Sequence, residues 1–377
     1  MKYLSALCLL ALVTMGCVGP HVDESFLSDD YLRPASDKEP VQAFPSPVVR
    51  GSGLSQAPEK LRTPVPPFVD VIEDQPEYPR AVESTPVPIL PGRRLDADTI
   101  LAAQAVLDAK NFSPGCLDGR FGSQTRQALR AWRESEGRTW DGQPDDLLLK
   151  ELAGNFLPTR SYTLTAQDVG GLTPVPPTWP ERAKMSRMDH ETVLERIAER
   201  HHSTEGLIRS LNPNVDWVNP AVGLQITVPR IPRARSVRVA RIEVLQTERV
   251  VRGFDANGKL IALFPCSIAT DVAKRPSGRT TVKNLAADPN YTFDPEVFPE
   301  LSAEKKGSKR LLIPPGPNNP VGAAWVGLNL SGYGIHGTPN PERIGSAESH
   351  GCIRLSNWNA LKLAHMVRAG VPVQFGD

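Results

Sequence analysis

Cys352 lies two residues after His350 and two before Arg354, in the stretch Ser349-His350-Gly351-Cys352-Ile353-Arg354. A second histidine, His336, stands sixteen residues upstream in Gly334-Ile335-His336-Gly337-Thr338. A thiol is a weak nucleophile until a base or a positive environment makes thiolate. These residue types offer that chemistry: a cysteine to take an acyl group, a histidine to move a proton, and a glycine, Gly351, that lets backbone amides approach a developing oxyanion. His336 is the better base, because it comes from a separate segment and can meet the sulfur across a pair of strands. His350 shares the tight turn with Cys352 and is expected to brace it. A buried cysteine in a turn, flanked by surface histidines, would use the same residues, and spacing alone does not choose between the two.

The segments that must position this pair are short and β-rich. RVARIEVLQTERVVRGFDANGKLIALFPCSIAT holds three alternating apolar runs, with Asp255-Ala256-Asn257-Gly258 as a hairpin turn between two of them. KRPSGRTTV turns into a further strand. Asn357 is placed to cap a helix running to Met366, Gly370 to end it, and VPVQF to form a closing strand. The expected fold of this last third is a mainly antiparallel β sheet or sandwich with a C-terminal helix. Its charged stretch Asp294 to Arg310 reads as an insertion near the site, with substrate gating its expected work.

Upstream, the chain of 377 residues divides by composition. Residues 1–16 begin with Lys2 and an apolar run, Leu4 to Met15, which reads as an export signal and is too short to span a bilayer comfortably. Residues 17–94 carry prolines every few positions, so helices and central strands are excluded and a semi-extended tether is expected. Such a tether reaches roughly 200 Å as polyproline II, or about 50 Å as a coil. Residues 95–157 predict a small all-α domain of three helices: Asp96 or Asp98 caps the first, Pro114-Gly115 and Asp118-Gly119 form turns, and Ser123 caps the second. Residues 160–232 predict two helices closed by the strand VGLQITVPR. His201 and His202 are neighbours there, and adjacent helical residues point about 100° apart, so a solvated pair is expected in place of a zinc site. Net charge is +1, which gives no bulk field for nucleic acid.

Residues 237–376 resemble the L,D-transpeptidase catalytic domain of the YkuD type. The resemblance rests on His336-Gly337-Thr338, Ile344-Gly345 and Ser349-His350-Gly351-Cys352-Ile353-Arg354, with Pro276-Ser277-Gly278 and Asn319-Pro320-Val321-Gly322 upstream. It implies Cys352 as nucleophile and His336 as base, the latter oriented by the carbonyl of Gly337. The oxyanion would be held by the amides of Gly351 and Cys352, and Tyr333, Thr338, Ser349, His350 and Arg354 would contact substrate. It further implies that His336 lowers the pKa of Cys352, that a peptidoglycan stem tetrapeptide is carried as a thioester to an amine, and that no cofactor or metal takes part.

Residues 95–157 resemble a peptidoglycan-binding domain, through Gln104, Leu107, Gly115, Asp118, Gly119, Gly122, Thr125, Ala128 and Leu129. Residues 160–232 resemble a lysin motif whose usual entry is replaced near Glu191-Thr192-Val193-Leu194. Thr14-Met15-Gly16-Cys17 resembles a lipobox, with Thr14 where the pattern prefers Leu; a plain secretory signal is the other reading. Lipid on Cys17, followed by Val18, would place the chain in the periplasm as an outer-membrane lipoprotein, with stem peptides, glycan and the membrane as partners. Two alternatives stand beside the transpeptidase: an L,D-carboxypeptidase, or a non-catalytic lipoprotein that staples membrane to wall.

Overall fold

A computed structural model of the chain describes residues 96–138, 146–234, 236–294, 309–345 and 351–376. The expected export signal, lipidated Cys17 and proline-rich tether lie outside the described residues, as do Ser349, His350 and most of the charged insertion. All described residues fall in one unit, Glu39–Asp377. Among them no helix is long and apolar enough to cross a membrane.

The first elements are three helices, α1 (Ala97–Ala109), α2 (Ser123–Ser135) and α3 (Asp146–Ala153). Asp96 caps α1, accepting from the Asp98 amide at 2.9 Å and the Thr99 hydroxyl at 2.6 Å. Ser123 opens α2 as its first residue; the cap is Gly122, with no side-chain bond. One buried side chain organises the turn between α1 and α2. Gln104 donates through Nε2 to Asp118 at 2.8 Å and to the Thr125 hydroxyl at 3.0 Å, and its Oε1 accepts from the Gly119 amide at 2.9 Å. Leu107, Leu129 and Leu149 fill the space between the helices.

Next come β1 (Thr159–Thr163), α4 (Ala166–Val169), α5 (Trp179–Arg182), α6 (Val193–Arg200), α7 (Glu205–Leu211) and β2 (Gln225–Pro229). β1 and β2 pair antiparallel and close the unit at both ends of its sequence. A capping box of Thr192 and Glu195 starts α6. Asn212 fixes the exit from α7, bonding both the amide and the carbonyl of Thr227 at 2.7 Å. His201 and His202 are not a solvated pair. α6 ends at Arg200, so each ring turns into a packed seam: His201 Nδ1 lies 3.2 Å from the Pro229 carbonyl, and His202 Nδ1 lies 2.9 Å from Asp108. The His202 ring also stacks on Trp358 at 5.0 Å.

The last region is built on a single sheet. Its strands are β3 (Arg241–Leu245), β4 (Val250–Phe254), β5 (Leu260–Pro265), β6 (Gly278–Ala287), β9 (Ala324–Leu328), β10 (Gly334–His336), β11 (Ile353–Arg354) and β12 (Pro372–Gly376). A side hairpin joins β7 (Tyr291–Phe293) to β8 (Leu311–Ile313), and α8 (Asn357–Met366) packs on the sheet. Ser356 precedes α8, and Asn357 is its first residue.

Among the described residues the order is β11-β10-β9-β6-β12-β3-β4-β5, with β10/β11 and β12/β3 parallel and the other pairs antiparallel. Of the two expected forms, sheet or sandwich, the described residues form one curled sheet, mainly antiparallel with two parallel pairs. Two features bend it. β6 is ten residues long and breaks register against β9 between Val282 and Asn284, so it serves both halves of the sheet. Beyond β5, Ser267 exchanges two 2.9 Å backbone bonds with Arg354 of β11, tying the first edge to the last. Ile242, Phe264, Val326, Ile335, Ile353 and Leu363 form the core inside the curl.

Candidate active site

The parallel pairing of β10 with β11 sets the chemistry. Ile335 stands opposite Ile353 and His336 opposite Arg354. Alternate residues of a strand share a face. Ile335 and Ile353 point into the core at 0% and 1% exposure, so Gly334, His336, Cys352 and Arg354 fall on the opposite face. Neither β10 nor β11 alone holds the pair; the register between them does.

His336 is buried, with its Nδ1 2.7 Å from the Gly337 carbonyl. A carbonyl can only accept, so Nδ1 carries the proton and Nε2 keeps its lone pair. The Trp325 ring of β9 stacks on the imidazole at 5.6 Å. Gly334 makes room for that ring, since a Cβ there would come within 2.5 Å of it. Gly337 is equally constrained: a Cβ would lie 2.2 Å from Asn357 Oδ1. The Asn319-Pro320-Val321-Gly322 turn packs behind it, Asn319 bonding the Pro314 carbonyl at 2.7 Å and the Val321 amide at 2.9 Å.

Cys352 is half-buried, its Sγ 3.5 Å from the Gly332 carbonyl. Burial raises the thiol pKa, and this outweighs a backbone hydrogen bond from Gly334 and the charge of Arg354, which both favour thiolate. Burial and the same Arg354 charge hold His336 down at about 3. Both shifts favour the uncharged forms of these two groups, which lie on the same face of the β10–β11 pair. Burial thus works against the expected low-pKa thiolate, while Arg354 works for it. Gly351 has φ of 153°, which favours glycine, and its amide adjoins that of Cys352.

The remaining expected site residues divide. Tyr333 lies near Cys352, its hydroxyl donating to the Lys274 carbonyl at 3.0 Å. Arg354 is half-buried beside Cys352 and Tyr291. Thr338 is 6% exposed and its hydroxyl accepts from the Asn340 amide at 3.3 Å, so it shapes the loop after His336. Ser349 and His350 lie outside the described residues.

Tyr291 of β7 is a site residue that the sequence reading missed. Burial and the neighbouring Cys352 push its hydroxyl up to about 12. Trp179 backs this hairpin, stacking on Phe293 at 4.1 Å. Pro289-Asn290-Tyr291 carries no motif, and Tyr291 is held by long-range contacts, pairing with β8 and lying against the Trp179 ring. At the mouth of the charged insertion, Arg310 and Asp294 form an ion pair at 2.8 Å. Cys116 and Cys266 are separate free thiols, both raised by burial.

Residues 240–374 match the family model of the L,D-transpeptidase catalytic domain. A Bacillus licheniformis protein named "Putative L,D-transpeptidase YkuD" is 28% identical over 180 residues, covering 48% of this chain and 91% of that one. An Escherichia coli protein named "Probable L,D-transpeptidase ErfK/SrfK" is 30% identical over 193 residues, covering 50% of this chain and 61% of that one. Among solved structures, an L,D-transpeptidase from Xylanimonas cellulosilytica is matched over 78% of this chain and all of that one, at 15% identity and a TM-score of 0.33.

Proposed function

We propose that this chain, whose residues 240–374 are an L,D-transpeptidase catalytic domain, uses Cys352 and His336 to exchange amide bonds in peptidoglycan stem peptides. Cys352 Sγ attacks the carbonyl of the third residue of a tetrapeptide stem while Nε2 of His336 takes the thiol proton. The amides of Gly351 and Cys352 stabilise the oxyanion. The bond to the terminal D-Ala breaks, its nitrogen takes the proton from Nε2, and a thioester remains. An amine of a second stem then attacks that carbon, Nε2 removes its proton, and the thiolate leaves and recovers it. The amide energy is kept in the thioester, so the exchange needs no ATP. The observation that carries this reading is the fixed tautomer of His336, Nδ1 on the Gly337 carbonyl and Nε2 left as a base on the face shared with Cys352.

The rest of the reading concerns delivery. The apolar N-terminus would export the chain, Cys17 would carry lipid, and residues 17–94 would tether it to the outer membrane on its periplasmic side. Residues 95–157 would then hold peptidoglycan and residues 160–232 its glycan. The deciding experiment incubates the soluble protein with isolated sacculi and follows stem peptides by mass spectrometry. New dimers that Cys352→Ala does not make support the transpeptidase. Shortened stems without dimers would assign a carboxypeptidase, and unchanged stems a wall-binding lipoprotein.

A further inference from the structure

The neighbourhood of His336 is not built from the catalytic region alone. Asn357, the first residue of α8, is 1% exposed and its amide is bonded on both sides. Its Oδ1 accepts from the Ala323 amide at 2.9 Å. Its Nδ2 donates to the Pro317 carbonyl at 3.1 Å and to both carboxylate oxygens of Glu199, at 3.1 and 3.0 Å. Glu199 belongs to α6, in the unit resembling a lysin motif. The same Asn357 Oδ1 lies so close to two glycines that a Cβ would come within 2.0 Å of it at Gly322 and 2.2 Å at Gly337. Gly337 is the residue whose carbonyl receives the Nδ1 proton of His336.

Glu199 is itself held. Its Oε1 lies 3.6 Å from His190 Nε2, and the other ring nitrogen of His190 lies 3.2 Å from Asp189. Asp189 in turn pairs with Arg196 at 3.1 Å, and the Arg196 guanidinium donates to the carbonyls of Gln167, Asp168 and Gly170. Glu199 is half-buried, and a carboxylate partly withdrawn from water is favoured where it is hydrogen-bonded, as it is here by Asn357. If Glu199 served only to join two units, any polar group on the catalytic surface would do. It meets a side chain whose Oδ1 would lie 2.2 Å from a Cβ at Gly337.

We propose that Glu199 is a positioning residue for the exchange reaction: through Asn357 it holds the Gly337 backbone where its carbonyl fixes the Nδ1–H tautomer of His336. The inference rests on the reading of His336 as the base. Without Glu199, Asn357 Nδ2 keeps only the Pro317 carbonyl of its three acceptors, so the amide is held less firmly behind Gly337 and the carbonyl there is positioned less tightly. The imidazole then divides between tautomers, and molecules with the proton on Nε2 have no lone pair for the thiol. The unit upstream is thereby part of the catalytic machine as well as a module beside it.

The test uses the full chain with Glu199→Ala and Glu199→Gln. Glutamine keeps an acceptor oxygen for Asn357; alanine keeps none. Three quantities are read: Tm, the kcat and KM of stem-peptide exchange, and the tautomer of His336 from 15N-histidine spectra. Expected is a fall of about tenfold in kcat for Glu199→Ala with KM changed less than about twofold, as for loss of alignment rather than of binding. The Nε2–H tautomer should appear in its spectrum, and Glu199→Gln should restore kcat to within about threefold. Glu199→Ala with wild-type kcat and a single Nδ1–H signal overturns the proposal. So does a loss of kcat that follows only the unfolded fraction, or an equal loss in both variants, which would assign the effect to charge. Exchange persisting in Cys352→Ala would sink the functional reading instead, while the tautomer measurement, which needs no turnover, would still judge Glu199.

Discussion

In the proposed reaction, a thiol raised by burial and an imidazole held down at about 3 would exchange a proton during attack and not before it. This has a direct consequence for pH. Alkylation of Cys352 by iodoacetamide is expected to keep rising past about pH 9, above the ordinary thiol range. A plateau between about pH 5 and 7 would show a preformed thiolate and overturn the neutral pair. Turnover should obey the same pair. Cys352→Ala abolishes exchange, and His336→Ala lowers kcat by roughly 10² or more. Cys116→Ala leaves exchange in place, since that thiol lies outside the site and burial keeps it protonated. Steady-state exchange of terminal D-amino acids checks all three variants; an active Cys352→Ala would assign the acyl group to another residue.

Elements matter through what they bring opposite one another. Gly334→Ala puts a Cβ 2.5 Å from the Trp325 ring, so that ring must leave its place on His336. Expected are a loss of about 1–3 kcal/mol in stability and a larger relative loss in kcat, read by denaturant melts and exchange kinetics. A variant with both unchanged would show that the stack does nothing. What the sequence revealed at this scale follows from range. The β4–β5 turn was legible because Asp255 bonds the amides of Asn257 and Lys259 at 2.9 Å and Gly258 takes φ of 78°, all within five residues. The span of α8 was legible for a similar reason. The Ser267–Arg354 closure and the β7–β8 pairing join residues far apart, and their sequences hold no local sign of the partner. Tyr291 therefore escaped, while Cys352 and His336, whose flanking glycines are local requirements, did not. His201 and His202 were misread because their hosts, Pro229, Asp108 and Trp358, come from other segments.

At the scale of the molecule, the three regions share cores and charges. Val250, Phe254, Leu260 and Leu263 of the sheet are buried in one cluster with Leu107, Leu129 and Leu149 of the helical unit. Each such side chain contributes ~1.5–3 kcal/mol when removed from water. Residues 237–377 expressed alone should thus bind a hydrophobic dye and melt well below the full chain; an isolated region with full-length Tm and no dye binding would mean the units are independent. The seam also carries a pH signature. Burial works against a charged His190, yet its contact with Asp189 and the Glu199 carboxylate 3.6 Å away raise it to about 9 from an ordinary 6.5. Its contribution is fully present below about pH 6.5 and is lost as pH rises through 9. His201 runs the other way: burial, with the Arg160 and Arg200 charges, lowers it to about 3. Its contribution is present above about pH 6.5 and is lost as pH falls towards 3, where His336 loses its own. Tm should therefore peak near pH 6.5. His190→Gln should lower Tm most below that pH, and progressively less as the wild type itself loses the contribution through pH 9. His201→Asn, which has no proton to gain, should flatten the acid limb. A His190→Gln deficit equal at pH 6 and above pH 9 would mean that the His190 cation does not hold the seam.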